Sequence, residues 1–184
     1  MMRIRSLKPN VTRDEAVLQF SATGIPRLFR NLAFGQLRSV AELYLPFRLF
    51  QVQIFNRGTR DEKLVAIDSL SGTLDPFQFD HVPHEGETIS VDTRNCPRTR
   101  LEDRIIQQLL IAKLRRLLYS HGFFRMRDLE IHATPLPCDL HIPYWLGFRS
   151  SNGNAHVAVI DAVRRRFEGA KVRRLVETWL ISNA

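Results

Sequence analysis

The sequence predicts an α+β fold of two similar units, each a helix packed on an antiparallel sheet, with an extra helix at the C-terminus. The first observation behind this is an internal repeat. Thr12-Arg13-Asp14-Glu15, Leu45-Pro46-Phe47 and Ala66-Ile67-Asp68 recur in order as Thr99-Arg100-Leu101-Glu102, Ile142-Pro143-Tyr144 and Val159-Ile160-Asp161, at offsets of 87, 97 and 93 positions. Segments repeated in order at similar spacing mark a duplicated structural unit. The second observation is apolar spacing of three and four after each Thr-x-x-Glu, the helical period. The third is period-two alternation after each helix, which signals strands with one buried face. The boundaries that follow are a first unit over 1–80, a linker over 81–98 and a second unit over 99–184. A lone unit of that size buries little surface, so the two are expected to pack as one body.

Each element has its own reason. Thr12-x-x-Glu15 is a capping box, with the threonine hydroxyl and the glutamate carboxylate each satisfying an orphan N–H, so a helix starts there. Ala16, Val17 and Phe20 supply its apolar positions until Gly24 and Pro26 interrupt it, and a separate helical piece resumes at Arg27-Leu28-Phe29. Residues 38–44 alternate as a strand. Residues 47–55 alternate more cleanly, Asn56-Arg57-Gly58 turns the chain, and 64–67 return, which makes a hairpin. Pro46 fits the first residue of that hairpin, which can do without a donor. Ser71 to Pro76 form a turn into Phe77-Gln78-Phe79. The polar stretch from His81 to Arg98, with Pro83, Gly86 and Pro97, reads as the linker.

The second copy opens more strongly. Leu101, Ile105, Ile106, Leu109, Leu110, Leu114, Leu117 and Leu118 form a helical stripe, with His121 and Gly122 as its stop. Residues 127–132 read as a strand. A hairpin runs along 144–148, turns through 150–154 and returns along 156–160, preceded by Pro143. Asp68 and Asp161 close the two return strands. Val172, Leu175, Val176, Trp179 and Leu180 then recur at helical spacing and predict the terminal helix, with Trp179 as a core anchor.

Composition limits the classes of function. The chain has 184 residues of which 44% are hydrophobic, enough for a core and unlike a disordered segment. Two cysteines, Cys96 and Cys138, cannot staple a disulfide scaffold and suit a reducing compartment. No apolar run reaches the roughly 18 residues a bilayer span needs, and the charged Met1 to Lys8 stretch leads into Pro9-Asn10 instead of a secretory core. The expected location is the cytoplasm. The net charge is +8, and all of the excess lies late in the chain: 11 Lys and Arg face 11 Asp and Glu through Asp92, against 16 and 8 from Thr93 onward. That asymmetry points to an anionic partner, whether nucleic acid, acidic lipid or acidic protein; arginine-rich coding is the competing explanation.

The segment from Val52 to Leu74, with Val65-Ala66-Ile67-Asp68 followed by Ser69-Leu70-Ser71-Gly72-Thr73-Leu74, resembles the hairpin of PepSY-type modules, in which a hydrophobic strand ends in aspartate before a glycine turn. The order of helix then antiparallel strands is similar too. The second copy departs by placing Val163-Arg164-Arg165-Arg166 at the turn. The resemblance implies a helix on a curved sheet and a binding or inhibitory role, with no catalytic residues to carry over.

No P-loop, nucleophile elbow, HExxH or GxGxxG pattern occurs in the chain. Two short pairs have zinc-compatible spacing, His81-x-x-His84 with Glu85 and Glu87 nearby, and Cys138-x-x-His141. Neither recurs in the other copy, so they stand as candidates and no metal or cofactor is assigned. Asp68 and Asp161 would form a carboxylate pair if a twofold arrangement brought them together. The plainer task for each is to accept N–H groups of its own turn. The remaining candidates are Arg164, Arg165, Arg166, Lys171, Arg173 and Arg174, whose charge at the start of a helix would suit phosphate. Against that, Arg173 and Glu177 are placed to pair along a solvated helix face. The expectation is therefore a non-enzymatic binding or structural protein of PepSY-like character. Polyanion binding through the basic second half is the alternative, and an enzyme with an unrecognised site comes third.

Overall fold

In the computed structural model, residues 1–21, 36–120, 128–151 and 154–182 are described. The second helical piece expected near Arg27, the stop at Gly122 and the turn at Gly153 lie outside them. In chain order the elements are β1 (Met2–Leu7), α1 (Arg13–Ser21), β2 (Gln36–Asn56), β3 (Thr59–Asp68), β4 (Phe77–Phe79), a 3-10 turn (Glu85–Glu87), β5 (Thr88–Thr93), α2 (Asp103–Ser120), β6 (Glu130–Ser151), β7 (Asn154–Asp161), β8 (Arg166–Phe167) and α3 (Ala170–Ser182). The fold is mixed α+β. Its strands form an eight-stranded sheet in the order β4-β3-β2-β6-β1-β5, with β7 pairing β6 and β8 pairing β7.

Two compact units divide the chain, and each is built from stretches of both halves of the sequence. Unit 1 comprises Met1–Leu45, Ile89–Pro97 and His141–Ala184; unit 2 comprises Pro46–Thr88 and Arg98–Leu140. Unit 2 therefore holds the β2-β3 hairpin together with α2. Its core joins Phe50, Val52, Ile54, Val65 and Ile67 of the hairpin to Ile106 and Leu110 of the helix, with Ile131 and Ala133 of β6. Leu101, Leu109, Leu114 and Leu118 of the stripe pack against this core partly buried, while Ile105 and Leu117 stay exposed. Unit 1 holds α1 together with the β6-β7 hairpin, and its core joins Val11, Ala16 and Phe20 to Trp145, Ile160 and Ala162.

Several elements differ from the sequence expectation. The strands expected to start afresh at each proline are continuous: β2 runs 21 residues through Pro46, and β6 runs 22 through Pro143. The prolines mark where hairpin pairing begins. The β2-β3 register opens at Phe47↔Asp68 and the β6-β7 register at Tyr144↔Asp161, so neither ladder asks a proline for a donor. Each proline still serves as an acceptor, since Ser69 N–H donates to Pro46 O at 3.0 Å and Ala162 N–H to Pro143 O at 3.1 Å. The stretch read as a linker contains the 3-10 turn and β5, and β1 was not foreseen.

The cap at Thr12 forms as expected, with Glu15 Oε2 accepting the Thr12 N–H at 2.8 Å and Thr12 Oγ1 accepting the Glu15 N–H at 3.3 Å. At Thr99 it does not. That hydroxyl bonds Ser69 Oγ at 3.2 Å, Arg100 and Leu101 donate their N–H groups to Ser69 O, and α2 starts only at Asp103. The tertiary bonds hold those residues outside the helix. At the first hairpin Arg57 and Gly58 take φ of 52° and 76°, the double left-handed turn that matches strand twist. Trp179 is half-buried instead of forming a fully enclosed anchor, while Val172 and Val176 are buried.

Candidate functional site: a mixed cavity in unit 1

The β6-β7 hairpin, α1 and the start of α3 surround a cavity of about 360 Å³ lined by Phe20, Arg149, His156, Val157, Val159 and Phe167, with Glu168, Arg173 and Glu177. Local geometry explains how these residues meet. Arg149 and His156 are direct cross-strand partners on the hairpin. Gly147, two residues before Arg149, lets the Phe20 ring lie on β6, because a Cβ there would stand 2.8 Å from the ring. Phe20 and Phe167 meet edge to face with centroids 5.8 Å apart. Arg149 is 5% exposed, and its guanidinium donates to the Phe20 carbonyl near the C-terminal end of α1, where helical carbonyls lack internal partners. One side chain thus fixes the helix to the strand and brings a cation to the cavity. Glu168 is held by Arg166 at 3.2 Å. Arg173 and Glu177 come from the first turns of α3, whose Arg173 N–H bonds Gly169 O.

The arginines singled out in the sequence are mostly used by the fold. Arg165 donates to Asn10 O at 2.6 Å and pairs with Glu15 at 3.1 Å, joining the turn after β7 to the start of α1. Asn10 completes the join by donating its N–H to Ala162 O and its side chain to Val163 O. Thr12 and Arg165 together hold the Glu15 carboxyl below its usual range. Arg166 pairs with Glu168. Arg164 is half-buried, and the loss of water lowers its basicity while Asp161 opposes that shift. Lys171, Arg173 and Arg174 are exposed on α3, and of the six only Arg173 lines the cavity.

The two aspartates serve their own turns. Asp68 is fully buried; Oδ1 accepts from Ser71 and Gly72 N–H at 2.8 and 3.0 Å, and Oδ2 accepts from Leu74 N–H at 2.8 Å. Asp161 is equally buried, yet only Oδ1 is used, accepting from Val163 and Arg164 N–H at 2.9 and 2.8 Å. Its Oδ2 has no hydrogen-bond partner among the described residues. Burial pushes the Asp161 carboxyl up, against the two N–H bonds and Arg164, which pull it down. A raised folded-state pKa gives stability that is fully present below the unfolded value and is lost as pH rises through the folded one. Asp161→Asn keeps the Oδ1 acceptor and removes the buried charge. It is expected to stay within about 1 kcal/mol of the parent near neutral pH, and to gain on the parent as pH rises from 4 to 7. Urea unfolding of both proteins at the two pH values checks this; a difference independent of pH would show that the carboxyl is not perturbed.

The sulfur and imidazole candidates separate. Cys138 and His141 stand three residues apart on β6, an odd spacing that turns strand side chains to opposite faces, and His141 Nδ1 lies 3.1 Å from Arg5 O. Burial lifts the Cys96 thiol to about 11, which removes thiolate chemistry at neutral pH. His81 and His84 lie side by side in unit 2 and Glu87 joins them.

Comparison with known proteins finds no matching family model, no matching curated protein and no matching solved structure.

Sequence reasoning missed Phe20, Arg149, His156 and Phe167 as cavity residues. Gly147 inside an otherwise apolar strand was the available signal, since glycine there marks a close approach by another group.

Proposed function

We propose that the protein is a non-enzymatic binding protein whose cavity in unit 1 takes a small amphipathic ligand carrying both a carboxylate and an apolar group. The observation that supports this is the lining itself, which brings two aromatic rings and two valines together with arginine, histidine and carboxylates around a volume of about 360 Å³. Ligand pockets combine a largely apolar wall with a few polar groups that fix orientation, and this volume falls at the small end of their usual range. Both buried aspartates bind the backbone of their own turns.

The PepSY-like order of helix and hairpin agrees with a binding or inhibitory role. We also read the chain as a duplication whose two products have exchanged helices. In each unit the residue after the strand-ending aspartate bonds the preceding proline and accepts an N–H from the segment leading into the other copy's helix. Ser69 does so with Pro46, Arg100 and Leu101, and Ala162 with Pro143 and Asn10. Four residues beyond each aspartate the chain turns left-handed, at Gly72 with φ 65° and at Arg165 with φ 57°. On this reading 1–80 and 99–184 are the ancestral segments, and 81–98 joins them.

Titrating ¹⁵N-labelled protein with aliphatic and aromatic carboxylates, amino acids and dipeptides tests the function. Saturable shifts centred on residues 156–159 and 173–177, weakened at least about fivefold by Arg173→Ala, are expected without chemical change of the ligand. A complete lack of shifts at millimolar concentration refutes the cavity reading. Salt-dependent retention on nucleic acid, lost on replacing Lys171 and Arg174, would instead support the polyanion alternative.

A further inference from the structure

We propose that His81, His84 and Glu87 of unit 2 form a binding site for a divalent transition metal of the zinc class. Their spacing already favours convergence. The three residues are each three apart, and a capping box at the 3-10 turn Glu85–Glu87 ties Glu87 to His84, its N-cap. The two imidazole rings are stacked with centroids 5.6 Å apart at 14°. His81 Nε2 lies 3.0 and 2.9 Å from the two Glu87 oxygens, and His84 Nε2 lies 3.6 Å from Oε2. All three donor atoms fall within 4.8 Å of one another. A metal about 2.0–2.2 Å from each ligand needs neighbouring donors roughly 3.0–3.5 Å apart, so little movement is required.

The donors also choose the metal. Two imidazoles and one carboxylate suit zinc and its neighbours, whereas magnesium and calcium prefer all-oxygen shells. His81 and His84 are well exposed and Glu87 half-exposed, which leaves further coordination positions open to water. One local bond opposes loading. His84 Nδ1 accepts the Gly86 N–H at 3.0 Å, so a neutral His84 carries its proton on Nε2. Metal at Nε2 moves that proton to Nδ1 and releases Gly86 to solvent. An exposed cap bond contributes far less than three-ligand zinc coordination, so the bond yields. Glu87 keeps one task throughout, since its carboxylate also caps the His84 N–H at 3.2 Å.

Titration of the tag-free, chelator-treated full chain with Zn²⁺ by calorimetry is the test, with Mg²⁺ as control. One equivalent is expected to bind with micromolar or better affinity, with His81 and His84 Nε2 resonances moving to metal-bound values and the Gly86 amide shifting as it loses its acceptor. His81→Ala and His84→Ala should each weaken binding at least about tenfold. Glu87→Gln, which retains an oxygen for the cap, should weaken it similarly while the metal-free melting curve stays unchanged. Lack of saturable Zn²⁺ binding overturns the proposal. So does binding that survives all three substitutions, which would place the ion elsewhere.

Discussion

Asp68→Ala is expected to destabilise unit 2 by about 3–5 kcal/mol. The carboxylate is fully buried and satisfies three backbone donors, from a half-buried Ser71 and from the buried Gly72 and Leu74. Each orphaned buried donor costs about 1–3 kcal/mol. The same turn is held from its carbonyl side, because Lys113 of α2 donates to Gly72 O and Leu74 O, so the loss loosens the helix as well as the turn. Nor can the turn slide to compensate. Gly72 has φ 65° and a Cβ there would lie 2.5 Å from the Leu109 side chain. Asp68→Asn separates the contributions: its amide would face the Leu74 N–H, donor against donor, for a loss of about 2–3 kcal/mol. Asp161→Asn meets no such clash, since Oδ2 there has no bond to lose among the described residues. Chemical denaturation, with hydrogen exchange read at residues 71–74, checks the series; equal effects at 68 and 161 would contradict the assigned bonds.

Phe20→Ala carries the other large effect, a loss of about 3–5 kcal/mol in unit 1. The ring is 1% exposed, packs with Trp145 and Ile160, and touches Phe167 edge to face. Deleting it removes the wall between core and cavity, so the variant is expected to recover part of its stability in saturating benzene or indole, by occupancy of the enlarged space. Phe20→Leu should lose much less, because it keeps most of the volume. Thermal unfolding with and without the added aromatic decides the point, and a variant insensitive to it would show that the space had collapsed.

How far each feature could be read in advance depends on how local its cause is. The box at Thr12 and the left-handed pair at Arg57-Gly58 formed where their own few residues place them, as did the stripes of α2 and α3 and the turn role of both aspartates. At Thr99 the same kind of box was overridden, because Ser69 offers the segment tertiary hydrogen bonds that compete with the helical ones. β1 and β5 were missed because short strands with arginine or polar residues between buried positions look like loop until a neighbour supplies the ladder.

By itself the sequence determined the mixed α+β composition, the capped start of the first helix, the two hairpins and the terminal helix, since these rest on backbone sterics, capping and periodicity acting over a few residues. Tertiary structure alone decided that α2 covers the β2-β3 hairpin while α1 covers β6-β7, that β2 and β6 continue through their prolines, and that Phe20 and Arg149 meet at one cavity. The physical reason is that apolar attraction is non-directional: a stripe of leucines records that it must be buried, and only the assembled chain selects the surface that buries it.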